Sequence, residues 1–290
     1  MSDAFEAGLA ALRADRSRGA SALARFALGL LADAARETPA RDPAELRARL
    51  ADCADRLARA RPSMAPIANL VAAWSGRLAA LPAAELGPFR RAAARVAEDL
   101  AEESRRAVGA AAAHAAVRIG PGATILCHSL SSTVLAVFDR LAGRRVRLIQ
   151  TESRPLYEGR AAARHAAGLG LDVVLISDAQ VGLTAAEADL ALVGADALMP
   201  DGAVVNKAGT LPLALAARAA GIPFQVCCER FKVRPAAWGP AELEAMDPAE
   251  LGTPDLGPAT VRNVYFDLTP ADLVAAWITE AGFSETPPKL

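Results

Sequence analysis

The feature that most constrains this fold is an alternation of short apolar runs with alanine-rich helical segments, which begins near Gly120. The runs are rich in Val, Ile and Leu and cover residues 124–127, 146–150, 172–176, 190–193 and 224–227. Helices are predicted between them at 132–142, 158–168 and 207–219. Strands that alternate with helices need crossover connections, so this half predicts a parallel sheet with helices on both faces.

Residues 1–117 have a helical period instead. Asp42-Pro43 gives an N-cap followed by proline at the first helical position, and another helix is predicted from near Gly87 to about Val117. Apolar residues at three- and four-residue spacing predict two buried helix faces, Leu23, Phe26, Leu30 and Ala34 on one and Leu46, Leu50, Cys53 and Leu57 on the other. The sequence therefore predicts an α/β protein, with an N-terminal helical domain at 1–117 and a Rossmann-like, doubly wound parallel sheet at 118–290.

Composition excludes several classes of function. The net charge of -1 gives no global field for nucleic acid or anionic lipid, so no direct nucleic-acid binding is expected. No apolar run reaches the roughly 20 residues of a membrane helix and no secretion signal is apparent, which predicts a cytoplasmic protein without a membrane partner. The four cysteines lack CxxC spacing, so no metal is expected. No GxGxxG or Walker motif is present, and no cofactor is predicted.

Polar residues follow each predicted strand, where ligands bind in doubly wound sheets. They are His128-Ser129, the run from Thr151 to Arg154, Ser177-Asp178, Gly194-Ala195-Asp196 and Glu229. The guanidinium of Arg154 makes it a candidate anion contact. Turn formation and helix capping are the alternative explanation of these residues, and for Asp196 the choice lies between a general acid or base and a cap.

Two further segments suggest anion binding. Arg18 and Gly19, with Ala20 and Ser21, precede a helix, where backbone N–H groups and a guanidinium suit phosphate, although a solvated cap has the same appearance. Asn206-Lys207 is predicted to open a helix. A lysine there opposes the helix dipole, so either a bound anion or a carboxylate such as Asp201 would compensate it.

Taken in order, these motifs resemble the superfamily of methylthioribose-1-phosphate isomerase, ribose-1,5-bisphosphate isomerase and the alpha, beta and delta subunits of initiation factor 2B. The resemblance runs nearly end to end. It rests on Arg18-Gly19-Ala20, Arg61-Pro62, 125–129, 151–155 with Gly159, 194–196, 206–210, 229–232 and 266–270. It implies an N-terminal helical domain and a C-terminal Rossmann-like domain, as the periodicity does.

The resemblance also implies roles for individual residues. Substrate phosphate and sugar oxygens would be contacted by Arg18, Gly19, Ala20, Arg61, Asn206 and Lys207, with Lys232 as a further contact and Ser131, Ser132 and Thr133 in the loop after the catalytic position. Catalysis in those isomerases uses an aspartate, matched by Asp196, and a cysteine whose position holds Ser129 here. Cys127 lies two residues earlier, and is interpreted either as a displaced thiol or, preferably, as a packing residue.

Three functions follow from this resemblance. The first is an aldose–ketose isomerase type of protein acting on a phosphorylated sugar. The second is a noncatalytic regulatory protein that binds a sugar phosphate or nucleotide, which Ser129 favours because a serine hydroxyl is a far weaker acid than a thiol. The third is an assembly scaffold. The family also implies a homodimer or larger homo-oligomer.

Overall fold

A computed structural model describes residues 3–253 and 255–289 of the chain. These residues form two compact units, one up to Arg106 and one from Ala107 onward. The predicted domain boundary at 117/118 lies at the end of the last helix before the sheet, and it stays a prediction. No helix in the described ranges has the length and apolar character that crossing a membrane requires.

The first unit is built from helices. In chain order these are α1 (Asp3–Ala14), α2 (Ala20–Glu37), α3 (Pro43–Ala58), α4 (Ala65–Ala79) and the first part of α5 (Leu86–Ala116). The predicted start of α3 is confirmed, since the Asp42 side chain accepts the backbone N–H of Glu45 at 2.8 Å. The indole of Trp74 is buried and donates to the Ala93 carbonyl at 3.1 Å, which fixes α4 against α5.

Burial confirms one predicted helix face and corrects the other. All four predicted residues of α3, from Leu46 to Leu57, are fully buried. On α2, Leu23 and Ala34 are buried as predicted, whereas Phe26 and Leu30 are only half-buried. The other buried residues of this face include Ala24, Ala27, Leu28 and Leu31. A pattern that counts mainly large residues misses alanines, which pack closely between helices.

The second unit alternates strands and helices as predicted. Its elements are β1 (Thr124–Cys127), α6 (Ser132–Leu141), β2 (Arg147–Thr151), α7 (Glu158–Gly168), β3 (Asp172–Ile176), α8 (Val181–Thr184), β4 (Leu190–Val193), β5 (Ala197–Leu198), β6 (Val204–Lys207), α9 (Thr210–Ala220), β7 (Phe224–Cys227), β8 (Phe266–Thr269), β9 (Ala276–Thr279) and β10 (Gly282–Ser284). The main sheet has the order β10-β9-β7-β4-β1-β2-β3 and is parallel except for β10. Strand order reverses between β1 and β4, which is where such sheets bind ligands.

Both faces of the main sheet are covered. On one face Leu126 and Val193 pack in a cluster with Leu213 of α9. On the other, Ile125 and Cys127 pack with residues of α5, α6 and α7, including Ala111, Phe138 and Ala166. Successive residues of β1 therefore enter different cores, which explains why the strand reads as a continuous apolar run.

A second, antiparallel sheet of β5, β6 and β8 was not predicted, nor were β9 and β10. It corrects the interpretation of Asn206-Lys207. These residues end β6, where they pair with Asp267 and Phe266, and α9 begins only at Thr210 after a left-handed Gly209. Because Asn206 is paired to a distant strand, its resemblance to a helix cap was misleading.

Gly159 allows the start of α7 to lie against the end of β2. A Cβ atom at this position would overlap the Thr151 carbonyl oxygen and lie 2.8 Å from Ser153 Oγ. Gly168, at the other end of the same helix, has no atom within 4 Å of such a Cβ.

We expect Gly159→Ala to lower the free energy of unfolding by about 1–3 kcal/mol, because the added methyl must displace backbone. Gly168→Ala is the matched control and should be neutral or stabilising by up to about 1 kcal/mol, since alanine favours a helix. Chemical denaturation measures both. Equal effects of the two substitutions would show that the close approach at Gly159 is not needed.

Candidate functional site

The Glu158 carboxylate joins two predicted site residues at the carboxyl edge of the main sheet. Its Oε1 atom lies 2.6 Å from Lys207 Nζ and accepts a hydrogen bond from Ser129 Oγ at 3.3 Å. Lys207 is only 5% exposed, and its ammonium also lies 4.2 Å from the centre of the Tyr265 ring. The other carboxylate oxygen, Glu158 Oε2, is buried and has no hydrogen-bond partner among the described residues.

The sequence predicts that either a bound anion or a carboxylate such as Asp201 balances the charge of Lys207. In the structure, Glu158 balances it. Asp201 instead accepts the backbone N–H of Ala203 at 3.0 Å. Glu158 was not predicted as a site residue, although it lies between Pro155 and Gly159, two positions on which the resemblance rests. The cation of Lys207 is therefore already paired in this structure.

A second buried pair lies beyond β7. Lys232 Nζ is 3.6 Å from Glu229 Oε2, and the same oxygen accepts the Thr133 hydroxyl at 2.8 Å. Burial alone would lower the pKa of Lys232, but the negative charge of Glu229, with a smaller contribution from Asp196, raises that pKa overall. Lys232 is thus a cation paired with the Glu229 carboxylate.

Asp196 lies between β4 and β5 and is half-buried. Its backbone N–H donates to the Val205 carbonyl at 2.9 Å, which joins the end of β4 to β6. Its charge acts on Lys232, so the structure brings these two predicted residues into one electrostatic group.

The start of α6 presents three hydroxyl residues next to β4. Ser131 is the N-cap, accepting the N–H of Val134 at 3.4 Å, and a Cβ on Gly194 would overlap its side chain. Ser132 Oγ is buried without a partner in the described chain, whereas the Thr133 hydroxyl is engaged by Glu229. Ser131–Thr133 therefore lie at the β1/β4 switch point.

Two other predicted residues of this unit face elsewhere. Asn206 Nδ2 donates to Thr210 Oγ1 at 2.9 Å, so its amide braces the start of α9. Arg154 is exposed, and its guanidinium donates to the Leu251 carbonyl at 2.9 Å and to the Tyr157 hydroxyl at 2.5 Å. Neither shares a hydrogen bond with Ser129 or Lys207, and their ligand roles stay predictions.

The predicted residues of the helical unit gather around Asp15. Arg18 donates to its carboxylate from the backbone N–H and from Nε, both at 2.8 Å, while Arg61 Nη1 donates to its carbonyl at 3.0 Å. Gly19 is the N-cap of α2 and supplies no side-chain cap. Ala20 and Ser21 begin the helix and are buried. The N–H groups of this first turn suit an anion.

Ser129 has a left-handed backbone, with φ of 66°, so it no longer continues the strand. Cys127 is 1% exposed within the apolar cluster under α6, and burial raises the pKa of its thiol. Cys127 is therefore a packing residue, as preferred from the sequence. The alternative of a displaced thiol is wrong, because the side chain lies in the core.

Asp267 holds the turn between Lys207 and α9. Its Oδ2 atom accepts the backbone N–H groups of Gly209 at 2.8 Å and Leu211 at 3.1 Å. Burial raises the pKa of this carboxyl to about 6, and the hydrogen bonds from Leu211 and Gly209 offset only part of that effect.

Because the folded-state pKa of Asp267 exceeds the ordinary value of 3.8, the folded state binds the extra proton between the two values. The contribution of Asp267 to stability is therefore largest below about pH 4 and is lost as pH rises through about 6. We expect the free energy of unfolding of the wild type, relative to Asp267→Asn, to fall by at most about 3 kcal/mol over that window. Asp201→Asn, at another carboxylate that accepts a turn N–H, controls for the change from carboxylate to amide. A difference independent of pH would contradict the shift.

The sequence is similar to those of several known proteins. The family model described as the initiation factor 2 subunit family matches residues 16–286. A Pyrococcus horikoshii protein named translation initiation factor eIF-2B subunit 2-like is 36% identical over 277 residues, covering 93% of this chain and 92% of that protein. A ribose 1,5-bisphosphate isomerase from Haloferax volcanii is 32% identical over 273 residues, covering 91% and 84%.

A solved structure supports the same assignment. The crystal structure of Pyrococcus horikoshii translation initiation factor eIF-2B matches with a TM-score of 0.86 and 33% identity, covering 99% of this chain and 98% of that one. The family match over most of the sequence and the end-to-end structural agreement lead to one conclusion: this chain belongs to the initiation factor 2 subunit family.

Proposed function

We propose that this chain is a sugar-phosphate-binding protein of the aldose–ketose isomerase type, with Ser129 at the position of the isomerases' cysteine. The observation that carries the proposal is the pair of buried, unpartnered oxygens at the switch point. Glu158 Oε2 accepts hydrogen bonds and Ser132 Oγ can donate or accept one, and the described residues satisfy neither atom. Buried polar atoms without partners are rare, and the hydroxyl groups of a sugar would satisfy both.

The charges of the site favour a sugar over a simple anion. Lys207 is paired with Glu158 and Lys232 with Glu229, so these four groups are balanced. A balanced set of donors and acceptors suits hydroxyl groups. The phosphoryl group is assigned to the N-terminus of α6, where Ser131, Ser132 and Thr133 lie. The family relative named ribose 1,5-bisphosphate isomerase supports a phosphorylated pentose as ligand.

Isomerisation moves a proton between adjacent carbons of the sugar and needs a group that exchanges protons near neutral pH. We assign one such role to Asp196, which matches the aspartate of the isomerases. The Ser129 hydroxyl is too weak an acid for the other, and it donates to a carboxylate that Lys207 already binds. Ser129 therefore supports a second candidate function, a noncatalytic regulator that binds a sugar phosphate. The relative named eIF-2B subunit 2-like is consistent with it.

The expected setting is the same for either function. We propose a cytoplasmic protein that works as a homodimer or larger homo-oligomer, without a cofactor. Size-exclusion chromatography with light scattering measures the assembly directly.

We expect purified wild-type protein to bind ribose 1,5-bisphosphate in a calorimetric titration. Lys207→Gln should raise the dissociation constant at least about ten-fold, because a charge-assisted hydrogen bond becomes a neutral one. Arg164→Gln, which removes an exposed cation from α7, is the matched control and should bind as the wild type does. Circular dichroism confirms that each variant is folded. A wild type that binds no phosphorylated pentose would refute the proposal.

The two candidate functions differ in turnover. We expect Ser129→Cys to form ketose from ribose 1,5-bisphosphate faster than the wild type, because a thiol with a pKa of about 8.5 can exchange protons near neutrality. Asp196→Asn in the Ser129→Cys background should abolish that gain. Wild-type turnover would establish the isomerase, whereas binding without turnover in the wild type would establish the regulator. A Ser129→Cys variant that binds but gains nothing would show that the site is not of the isomerase type.

A further inference from the structure

Ser129 and Lys207 are connected by a second, buried route that avoids Glu158. The backbone N–H of Ser129 donates to Ser153 Oγ at 2.8 Å, and Ser153 Oγ lies 3.1 Å from Thr151 Oγ1. Thr151 Oγ1 lies 2.7 Å from His128 Nδ1, and His128 Nε2 lies 3.0 Å from the Ala208 carbonyl oxygen. Together with Glu158, these contacts close a ring of hydrogen bonds around the site.

The carbonyl of Ala208 and the burial of His128 together determine the direction of the hydrogen bonds along this route. A carbonyl oxygen only accepts, so His128 Nε2 must carry the proton that bonds Ala208. Burial lowers the pKa of His128 to about 4; Asp178, 3.9 Å from Nδ1, opposes that shift, and Lys207 adds to it. The ring is then neutral, and Nδ1 is an acceptor.

The remaining donors follow from that acceptor. The hydroxyl of Thr151 must donate to His128 Nδ1, so its oxygen is free to accept from Ser153. The competing acceptor for Ser153, the Thr151 carbonyl, is farther away at 3.5 Å. Ser153 Oγ in turn accepts from the Ser129 N–H. His128, Thr151 and Ser153 are between 0 and 4% exposed. Water therefore cannot reach their hydrogen bonds without a change in packing.

The turn between Lys207 and α9, formed by Ala208 and Gly209, has hydrogen-bond partners on both sides. The His128 ring lies against Gly209, where a Cβ would lie 2.6 Å from the ring Cε1 atom, and the φ of 112° also requires glycine. From the other side, the Ala208 N–H donates to the Tyr265 carbonyl at 2.7 Å and the Gly209 N–H donates to Asp267. Among the groups that contact this turn, His128 is the one that connects to Ser129 through Thr151 and Ser153.

We propose that His128 is a positioning residue which, as a neutral imidazole protonated on Nε2, sets the Lys207 turn at a fixed distance from Ser129, so that one ligand engages both. This inference rests on the proposed sugar-phosphate function. It assigns His128, Thr151 and Ser153 a role in ligand affinity that acts through the positions of Ser129 and Lys207.

The first test needs no ligand and no variant. The chain has three histidines, so nitrogen-15 NMR of the labelled full-length protein resolves the ring of each. We expect His128 to give the signals of a neutral ring with the proton on Nε2, unchanged from about pH 5 to about pH 8. A proton on Nδ1, or titration near pH 6.5, would overturn the proposal even if the protein binds a sugar phosphate.

The second test measures coupling to the ligand. Thr151→Val removes the hydroxyl that bonds Nδ1 and should raise the dissociation constant for ribose 1,5-bisphosphate at least about ten-fold, whereas Thr151→Ser keeps the hydroxyl and should restore affinity. In the Lys207→Gln background, Thr151→Val should change affinity less than about two-fold, because the two sites act through one contact. Full additivity would indicate a merely structural role and overturn the proposal.

The outcomes separate this inference from the function on which it rests. Absence of ligand binding by the wild type, with the expected NMR signals, would refute the sugar-phosphate function and with it the role of His128 in affinity. Binding by the wild type together with equal affinity of the valine and serine variants would refute only the positioning role.

Discussion

The carboxyl edge of the main sheet depends on the pairing of buried charges. Lys207 is nearly excluded from solvent, and an ammonium in that position is very unfavourable without a partner. Glu158 supplies the partner from the start of α7, and Gly159 lets that helix start lie against the end of β2. The same carboxylate accepts the Ser129 hydroxyl, so it connects the segment after β1 with the end of β6.

Glycines determine how closely the loops approach one another. At Gly194 the Ser131 side chain occupies the space of a Cβ, and at Gly209 the His128 ring does so. In both places the small residue lets a polar side chain from the neighbouring loop reach the edge of the sheet. The positions of Ser131 and His128 are therefore consequences of packing as well as of hydrogen bonding.

Much of the fold could be predicted from periodicity. Four of the five predicted strands of the main sheet have the observed bounds and the fifth is shifted by one residue, because buried parallel strands are continuous apolar runs. The sheet of β5, β6 and β8 could not be predicted from periodicity, because its strands are short and β6 pairs with residues about 60 positions away. Asn206-Lys207 was misassigned for this reason.

The site could be predicted less completely. Glu158 was missed because its importance comes from its contact with Lys207, which lies far along the chain. The hydrogen bonds that join Ser153, Thr151 and His128 could not be predicted, because no rule of sequence spacing connects these residues.

The four cysteines share a property that the fold imposes. Cys53, Cys127, Cys227 and Cys228 are all buried, and burial raises the pKa of each thiol, to about 11 for Cys53 and about 12 for Cys228. Reagents that alkylate cysteine react with exposed thiolates, which these residues do not provide in the folded protein. A fluorescent or spin label could therefore be attached to one engineered surface cysteine while every native cysteine stays in place.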